Sequence, residues 1–211
     1  MSTTPSDAGG DLDVEFTPMR NTDTRLSFGV PIGVDVGRRN LLTLAPGTAA
    51  PEIDEALSIG TRGIEEHYTE LRDRHDRGWG VDEVLAGQLD DGLTASAMRA
   101  IAFALSVDEP PILVLEDLSY DERSLDDCVT SGAGPDCWLL SGIQQRLREL
   151  AREQNLPVAV TTEENTTKEC HVCEDPSKIR DETLKCTTEG CPVDVVDRDR
   201  SAAVTIAKRL G

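Results

Sequence analysis

Four cysteines in the last third of the chain constrain its fold most. Cys170 and Cys173 form C-x2-C, twelve residues follow, and Cys186 and Cys191 form C-x4-C. A two-residue gap lets both thiolates of one turn reach the same ion, with Zn–S distances of about 2.3 Å, and four such ligands complete a tetrahedral zinc site. Four cysteines leave no open coordination position, so a zinc held there is structural. His171, inside the first pair, is an alternative ligand and otherwise reads as a surface residue of the ribbon. Paired spacing inside an α/β chain, with no signal peptide, points to a metal site in a reducing compartment and to a cytoplasmic protein. Cys128 and Cys137 sit in a Gly/Ser/Asp-rich loop, where a disulfide and free thiols both remain open. The cysteine module runs directly into Asp197-Arg198-Asp199-Arg200-Ser201-Ala202-Ala203, a carboxylate-bearing segment that opens a short, Ala-rich final helix.

Upstream, residues 1–25 are rich in Ser, Thr, Asp and Gly without an apolar period and read as a flexible leader, with a short strand near 14–16. Two β-rich runs, 27–37 and 40–45, flank Gly37-Arg38-Arg39 and read as a hairpin with Asp35 at the end of its first strand. A weak third strand is expected within 46–60, a polar helix over 64–77 and a second helix over 93–107. Ile112-Leu113-Val114-Leu115 is the continuous aliphatic run of a strand buried on both faces, and Glu116-Asp117 follows at its carboxyl end. In open α/β sheets that edge is where ligands and catalytic groups gather. A polar loop over 119–136, a helix over 138–154 and a strand over 157–162 complete the pattern. It describes a mixed sheet with helices packed on it, without internal repeats.

Three carboxylates, Asp35, Glu116 and Asp199, each lie at a strand end or a helix start. Carboxylates gathered in one buried place repel, and one or two divalent cations are the usual remedy. Paired Mg²⁺ or Mn²⁺ ions can activate water and stabilise the leaving oxygen of a phosphodiester. Against a nucleic-acid partner stands the net charge of −19, from 40 acidic and 21 basic residues of which four are Lys. Adaptation to a salt-rich cytoplasm reconciles the two, because at 1 M salt charges are screened within about 3 Å. The competing reading is that the charge repels DNA and the protein binds something else. No apolar run approaches the roughly 18 residues of a membrane span, so no membrane partner is expected. His67 and His75 read as solvated, and Trp79, flanked by glycines, as a loop anchor.

The ordered segments Gly33-Val34-Asp35-Val36-Gly37-Arg38-Arg39-Asn40-Leu41, Ile112 through Leu118, Thr166-Thr167-Lys168-Glu169-Cys170 with its partner cysteines, and Asp197 through Ala203 resemble the motifs of the TnpB (OrfB) family. These proteins are encoded by insertion sequences and are similar to the type V CRISPR effectors. The resemblance runs from about residue 26 to the C-terminus. It implies an α/β, RNase H-like (RuvC) mixed sheet flanked by helices with an inserted zinc ribbon. The core would comprise 26–165 and 195–211, and the ribbon 166–194. It implies metal-dependent cleavage of DNA, with a guide RNA as a further partner. Asp35 and Glu116 would share one catalytic Mg²⁺ or Mn²⁺ and Asp199 would complete the second site, with Asp197 as a neighbour. Cys170, Cys173, Cys186 and Cys191 would be the zinc ligands, and Arg38, Arg39, Arg198 and Arg200, flanking the site, would contact phosphates.

The family carries Asn where this chain has Ser201, a change expected to weaken side-chain placement near the metals, and its ribbon more commonly has a second C-x2-C. It also has a large N-terminal half that recognises guide RNA and target DNA, so a second protein supplying that half is an expected partner. Two rivals are a truncated, non-cleaving remnant that binds DNA, RNA or a protein through the ribbon, and a zinc-stabilised interaction protein with merely solvated acidic residues.

Overall fold

The computed structural model describes residues 29–48, 50–118, 123–162 and 166–210. The leader over 1–25 and its short strand lie outside the described residues. The first three strands are β1 (Val30–Asp35), β2 (Asn40–Pro46) and β3 (Leu57–Gly60). Helix α1 (Arg62–Arg74) ends in a π-helical turn over His75–Trp79 and is followed by α2 (Glu83–Leu105) and β4 (Pro111–Glu116). Next come α3 (Leu125–Thr130), α4 (Asp136–Glu153) and β5 (Val158–Thr161). A small meander of β6 (Lys178–Arg180), β7 (Thr183–Lys185) and β8 (Val195–Asp197) leads into α5 (Arg198–Lys208).

The main sheet has the order β3-β2-β1-β4-β5. β1 pairs antiparallel with β2 and parallel with β4, and β4 pairs parallel with β5. It is therefore mixed, with the hairpin on one side and the parallel strands on the other. Side chains alternate across a strand, which sorts the residues of β1 between two layers. Ile32 and Val34 are fully buried in the large core, which also takes Leu42, Leu44, Leu113 and Leu115 and residues of α1, α2 and α4. Gly33 lies on the opposite face under α5, where a Cβ would come 1.9 Å from the Ala203 carbonyl oxygen. Absence of a side chain at Gly33 thus lets the helix backbone rest directly on the strand.

Two elements differ from the sequence-based expectation. α2 begins ten residues earlier than position 93, because the Asp82 side chain accepts from the backbone N–H groups of Val84 and Leu85 and caps the helix. Leu85, Leu89 and Leu93 then continue the buried stripe at four-residue spacing. The polar loop over 119–136 contains α3, capped by the Ser124 hydroxyl and anchored by buried Cys128 and Val129. Cys128 is joined to Cys137 by a disulfide. Trp79 is 70% exposed rather than an anchor for its loop. Among the described residues no helix is long and apolar enough to cross a membrane.

Candidate active site and metal centre

The register of the sheet brings two of the three carboxylates side by side. Val34 pairs with Leu115 between parallel β1 and β4, so Asp35 and Glu116 are the next residues along two adjacent strands, at their carboxyl ends. Both share the parity of Gly33 and its partner Val114, hence the face covered by α5. α5 runs antiparallel to β1, with Ala203 over Gly33 and Ala207 beside Pro31 and Gly47. One turn back from Ala203 along the helix is Asp199. Those four residues advance the helix by about 6 Å, close to the rise of two strand residues, which sets Asp199 at the same sheet edge as Asp35.

All three carboxylates are buried, and they differ in what holds them. Asp199 is clamped: Oδ2 accepts from Arg39 Nη2 and Asn40 Nδ2, each at 3.0 Å, and Oδ1 from Arg198 Nε at 3.1 Å and Nη2 at 3.0 Å. Glu116 Oε1 accepts from the Thr166 hydroxyl, while its backbone carbonyl accepts from Gln144 Nε2 at 3.4 Å. Asp35, 7% exposed, has no hydrogen-bond donor among the described residues. Burial, then the Asp199 and Glu116 carboxylates, push its carboxyl up from the ordinary 3.8 to about 8, against the opposing charge of Arg198. Thr43, opposite Asp35 in the β1–β2 register, is fully buried with an unpartnered hydroxyl. A buried carboxyl without a donor, beside two more carboxylates and an orphan hydroxyl, is a donor set that suits a hard divalent cation. The three are less tightly gathered than the cysteines, which are the only such ligand group within 4.8 Å of one another among the described residues.

The arginines named from the sequence have separate fates. Arg39 reaches from the β1–β2 turn to Asp197 Oδ2 and Asp199 Oδ2, each at 3.0 Å, and to Glu182 at 2.6 Å. Arg198 binds Asp199, and the exposed Arg38 pairs with Asp136 at 2.8 Å. The guanidinium of Arg200 has no ion-pair partner among the described residues. Asp197 is the N-cap of α5, with Oδ1 accepting from the Arg200 backbone N–H at 3.0 Å. Asn40 and Thr166 escaped the reading of site residues. Both stand in motif segments, Asn40 beside Arg39 in the first and Thr166 at the head of the one that leads into Cys170, but neither is a charged or metal-ligating type that would single it out.

The cysteine cluster stands beside β6–β8. Cys170 and Cys191 sulfurs are 3.8 Å apart, Cys173 and Cys186 sulfurs 3.6 Å, and all four lie within 4.8 Å of one another. A zinc tetrahedron with Zn–S of about 2.3 Å has edges of about 3.8 Å, so this arrangement fits zinc. The four sulfurs could therefore hold a structural metal of that kind. The longer C-x4-C gap is absorbed by a turn in which the Cys191 N–H donates to the Thr188 carbonyl at 3.2 Å and Gly190 takes a φ of 81°.

His171 is a fully buried residue rather than a surface one. Its Nε2 lies 3.1 Å from the Ala50 carbonyl oxygen and its Nδ1 3.1 Å from the Ser201 hydroxyl. A carbonyl only accepts, so Nε2 carries the proton and Nδ1 accepts from Ser201. Burial lowers its pKa, with Lys208 adding to the effect, which keeps the ring neutral. Ser201 thus has its hydroxyl committed to the ribbon.

No protein-family model matches the sequence, and no curated protein does. Solved structures match the fold. A Cas12f1–sgRNA–target DNA complex superposes with a TM-score of 0.62 at 16% identity, covering 86% of this chain and 50% of that one. A CRISPR–Cas12f ternary complex gives 0.58 at 15% identity, covering 84% and 38%. This chain therefore spans half or less of the length of these two solved chains. The fold is the RNase H-like, RuvC-type mixed sheet flanked by helices, with an added cysteine cluster.

Proposed function

We propose that this chain is a TnpB-like, transposon-associated DNA endonuclease directed by a guide RNA, with Asp35, Glu116 and Asp199 as its metal-binding catalytic carboxylates. Residues 26–165 and 195–211 form the nuclease core and 166–194 the zinc ribbon. The observation that carries this reading is Asp35: a carboxyl without a donor at the carboxyl edge of the sheet, whose pKa is raised to about 8 by burial and then by two other carboxylates. Mg²⁺ or Mn²⁺ bound there would supply water activation and stabilisation of the leaving oxygen. Asp35 and Glu116 hold the strand-borne half of the site, and α5 delivers Asp199. Arg39 and Arg198, which share the Asp199 carboxylate, would meet the negative charge of a scissile phosphate there.

Cleavage of single- and double-stranded DNA with Mg²⁺ at high salt, with and without co-purified RNA, tests the assignment. Wild type is expected to cut, and Asp199→Ala to lose activity by at least about 100-fold, the scale of losing one preorganised charge-stabilising group. Equal activity in the two proteins refutes the assignment. A second reading, a non-cleaving remnant that binds nucleic acid or a partner through the ribbon, is favoured by the four donors that already occupy Asp199. It predicts binding without cleavage under every metal condition.

A further inference from the structure

A cavity of about 600 Å³ opens between α4 and the residues Leu118, Arg123 and Ser124. Its lining includes Leu118, Trp138, Gln145, Arg148 and Arg152. It adjoins the candidate active site: Leu118 is two residues beyond Glu116, and Gln144, also on the wall, donates to the Glu116 carbonyl. None of the four arginines assigned to phosphate contact from the sequence lines it.

The charge on this wall is unusual for so acidic a chain. Arg148 and Arg152 are exposed, one turn apart on α4, and their guanidiniums make no hydrogen bond or ion pair with any described residue. The neighbouring Arg146 is engaged, with Asp90 at 2.7 Å and Glu149 at 3.3 Å. Glu149, the carboxylate on the lining, is occupied by Arg146 and by Gln145, whose Nε2 donates to it at 3.0 Å. Its charge is thus answered locally, while two guanidiniums on the same wall are left unanswered. Against a net charge of −19, this wall is a local patch of positive charge that can take an anion.

The shape says which anion. From Trp138 to Arg152 the lined stripe of α4 advances about 21 Å, too long for one phosphate. Two guanidiniums in succession suit neighbouring phosphates of a strand, and Trp138, half-buried at the other end, offers an aromatic surface of the kind on which bases stack. We propose that this α4 wall is a track for single-stranded nucleic acid that leads to the Glu116 end of the candidate active site, with Arg148 and Arg152 as its phosphate contacts. This rests on the nuclease reading for the nature of the ligand.

The test is fluorescence anisotropy of a labelled single-stranded DNA, without added Mg²⁺ or Mn²⁺, across a salt series. Each phosphate contact to a single strand contributes about 0.7 to the slope of log K against log salt, so Arg148→Gln/Arg152→Gln should lower the slope by about 1.4. Arg148→Lys/Arg152→Lys should retain it. Arg99→Gln, an exposed charge on α2, should leave it unchanged. An unaltered slope in the double Gln protein, with its melting temperature intact, overturns the track, and so does an equal fall in Arg99→Gln. Wild type that binds no strand at any salt overturns the nuclease reading as well. Loss of the Asp199 assignment alone leaves this measurement standing, because cleavage plays no part in it.

Discussion

Replacing Asp35 by Asn isolates the electrostatics of the site in a single atom change. The carboxyl titrates near 8 in the folded chain and near 3.8 when unfolded. Below about pH 4 both states hold the proton and nothing is lost. Between 4 and 8 the folded state keeps a proton that the unfolded state has released, so stability falls with rising pH at about 1.4 kcal/mol per pH unit. Above about 8 both are ionised and the cost levels off. Relative to a neutral Asn, the native Asp should therefore cost up to about 4 kcal/mol at pH 7. The assay is urea unfolding of both proteins from pH 5 to pH 8 with no Mg²⁺ or Mn²⁺ present. The background from the chain's other acidic groups is common to both curves and cancels in their difference. The Asn protein should be the more stable, and its advantage should widen by about 4 kcal/mol across the range. Mn²⁺ at 100 times its dissociation constant should then return about 2.7 kcal/mol to wild type and nothing to the variant. A difference that stays constant from pH 5 to pH 8 would refute the argument, since it would mean that Asp35 ionises as freely in the fold as outside it.

Gly33→Ala should be among the most damaging single-methyl changes in the protein, because the new Cβ would sit 1.9 Å from the Ala203 carbonyl and push α5 off β1; a loss of about 3 kcal/mol or more in urea unfolding is expected. His171→Ala leaves the buried Ser201 hydroxyl and Ala50 carbonyl unpaired and opens a cavity, which should cost about 2–4 kcal/mol while the zinc content stays near one equivalent. Cys186→Ser should reduce bound zinc below one equivalent by metal analysis, and a strong chelator should lower the melting temperature of wild type but leave that variant nearly unmoved. Tyr68→Phe removes the hydroxyl that donates to the Ala133 carbonyl at 2.9 Å and should cost about 1 kcal/mol by the same unfolding assay.

The parts of the fold legible in the sequence are those where one local pattern dominates. Ile112 to Leu115 could hardly be anything but a central strand, and Pro110-Pro111 marks its start. The early turns of α2 were obscured by Gly87 and by Asp90-Asp91-Gly92, which dilute the stripe of Leu85, Leu89 and Leu93. α3 is six residues long, too short to show a period, and depends on its Ser124 cap and on two buried side chains. His171 defeated local reading for a different reason. Its burial is created by Ala50 and Ser201, 121 and 30 residues away in the chain, and proximity to cysteines suggested only ribbon surface or a ligand.

The candidate site divides along the same line, and α5 shows why. That Asp35 and Glu116 each end a strand follows from two aliphatic runs, while the pairing of those strands side by side is given by the sheet order alone. The state of each carboxylate follows from neither, because it is set by side chains from other elements. Arg39 arrives from a hairpin turn 160 residues from Asp199, and with Arg198 and Asn40 it satisfies that carboxylate, while Asp35 is left without a donor and keeps its proton up to about pH 8. α5 connects this imbalance to the cysteine cluster. Its first turn carries Asp199, its second rests on Gly33, Ser201 between them holds His171 of the ribbon, and Lys208 near its end donates to the His171 carbonyl at 2.7 Å. A shift of the ribbon is therefore transmitted to the helix at two points, and the close contact at Gly33 leaves the helix little room to absorb it. Ser201 belongs to that linkage: its hydroxyl is the partner of the buried imidazole, so this position bears on how α5 is held against the ribbon.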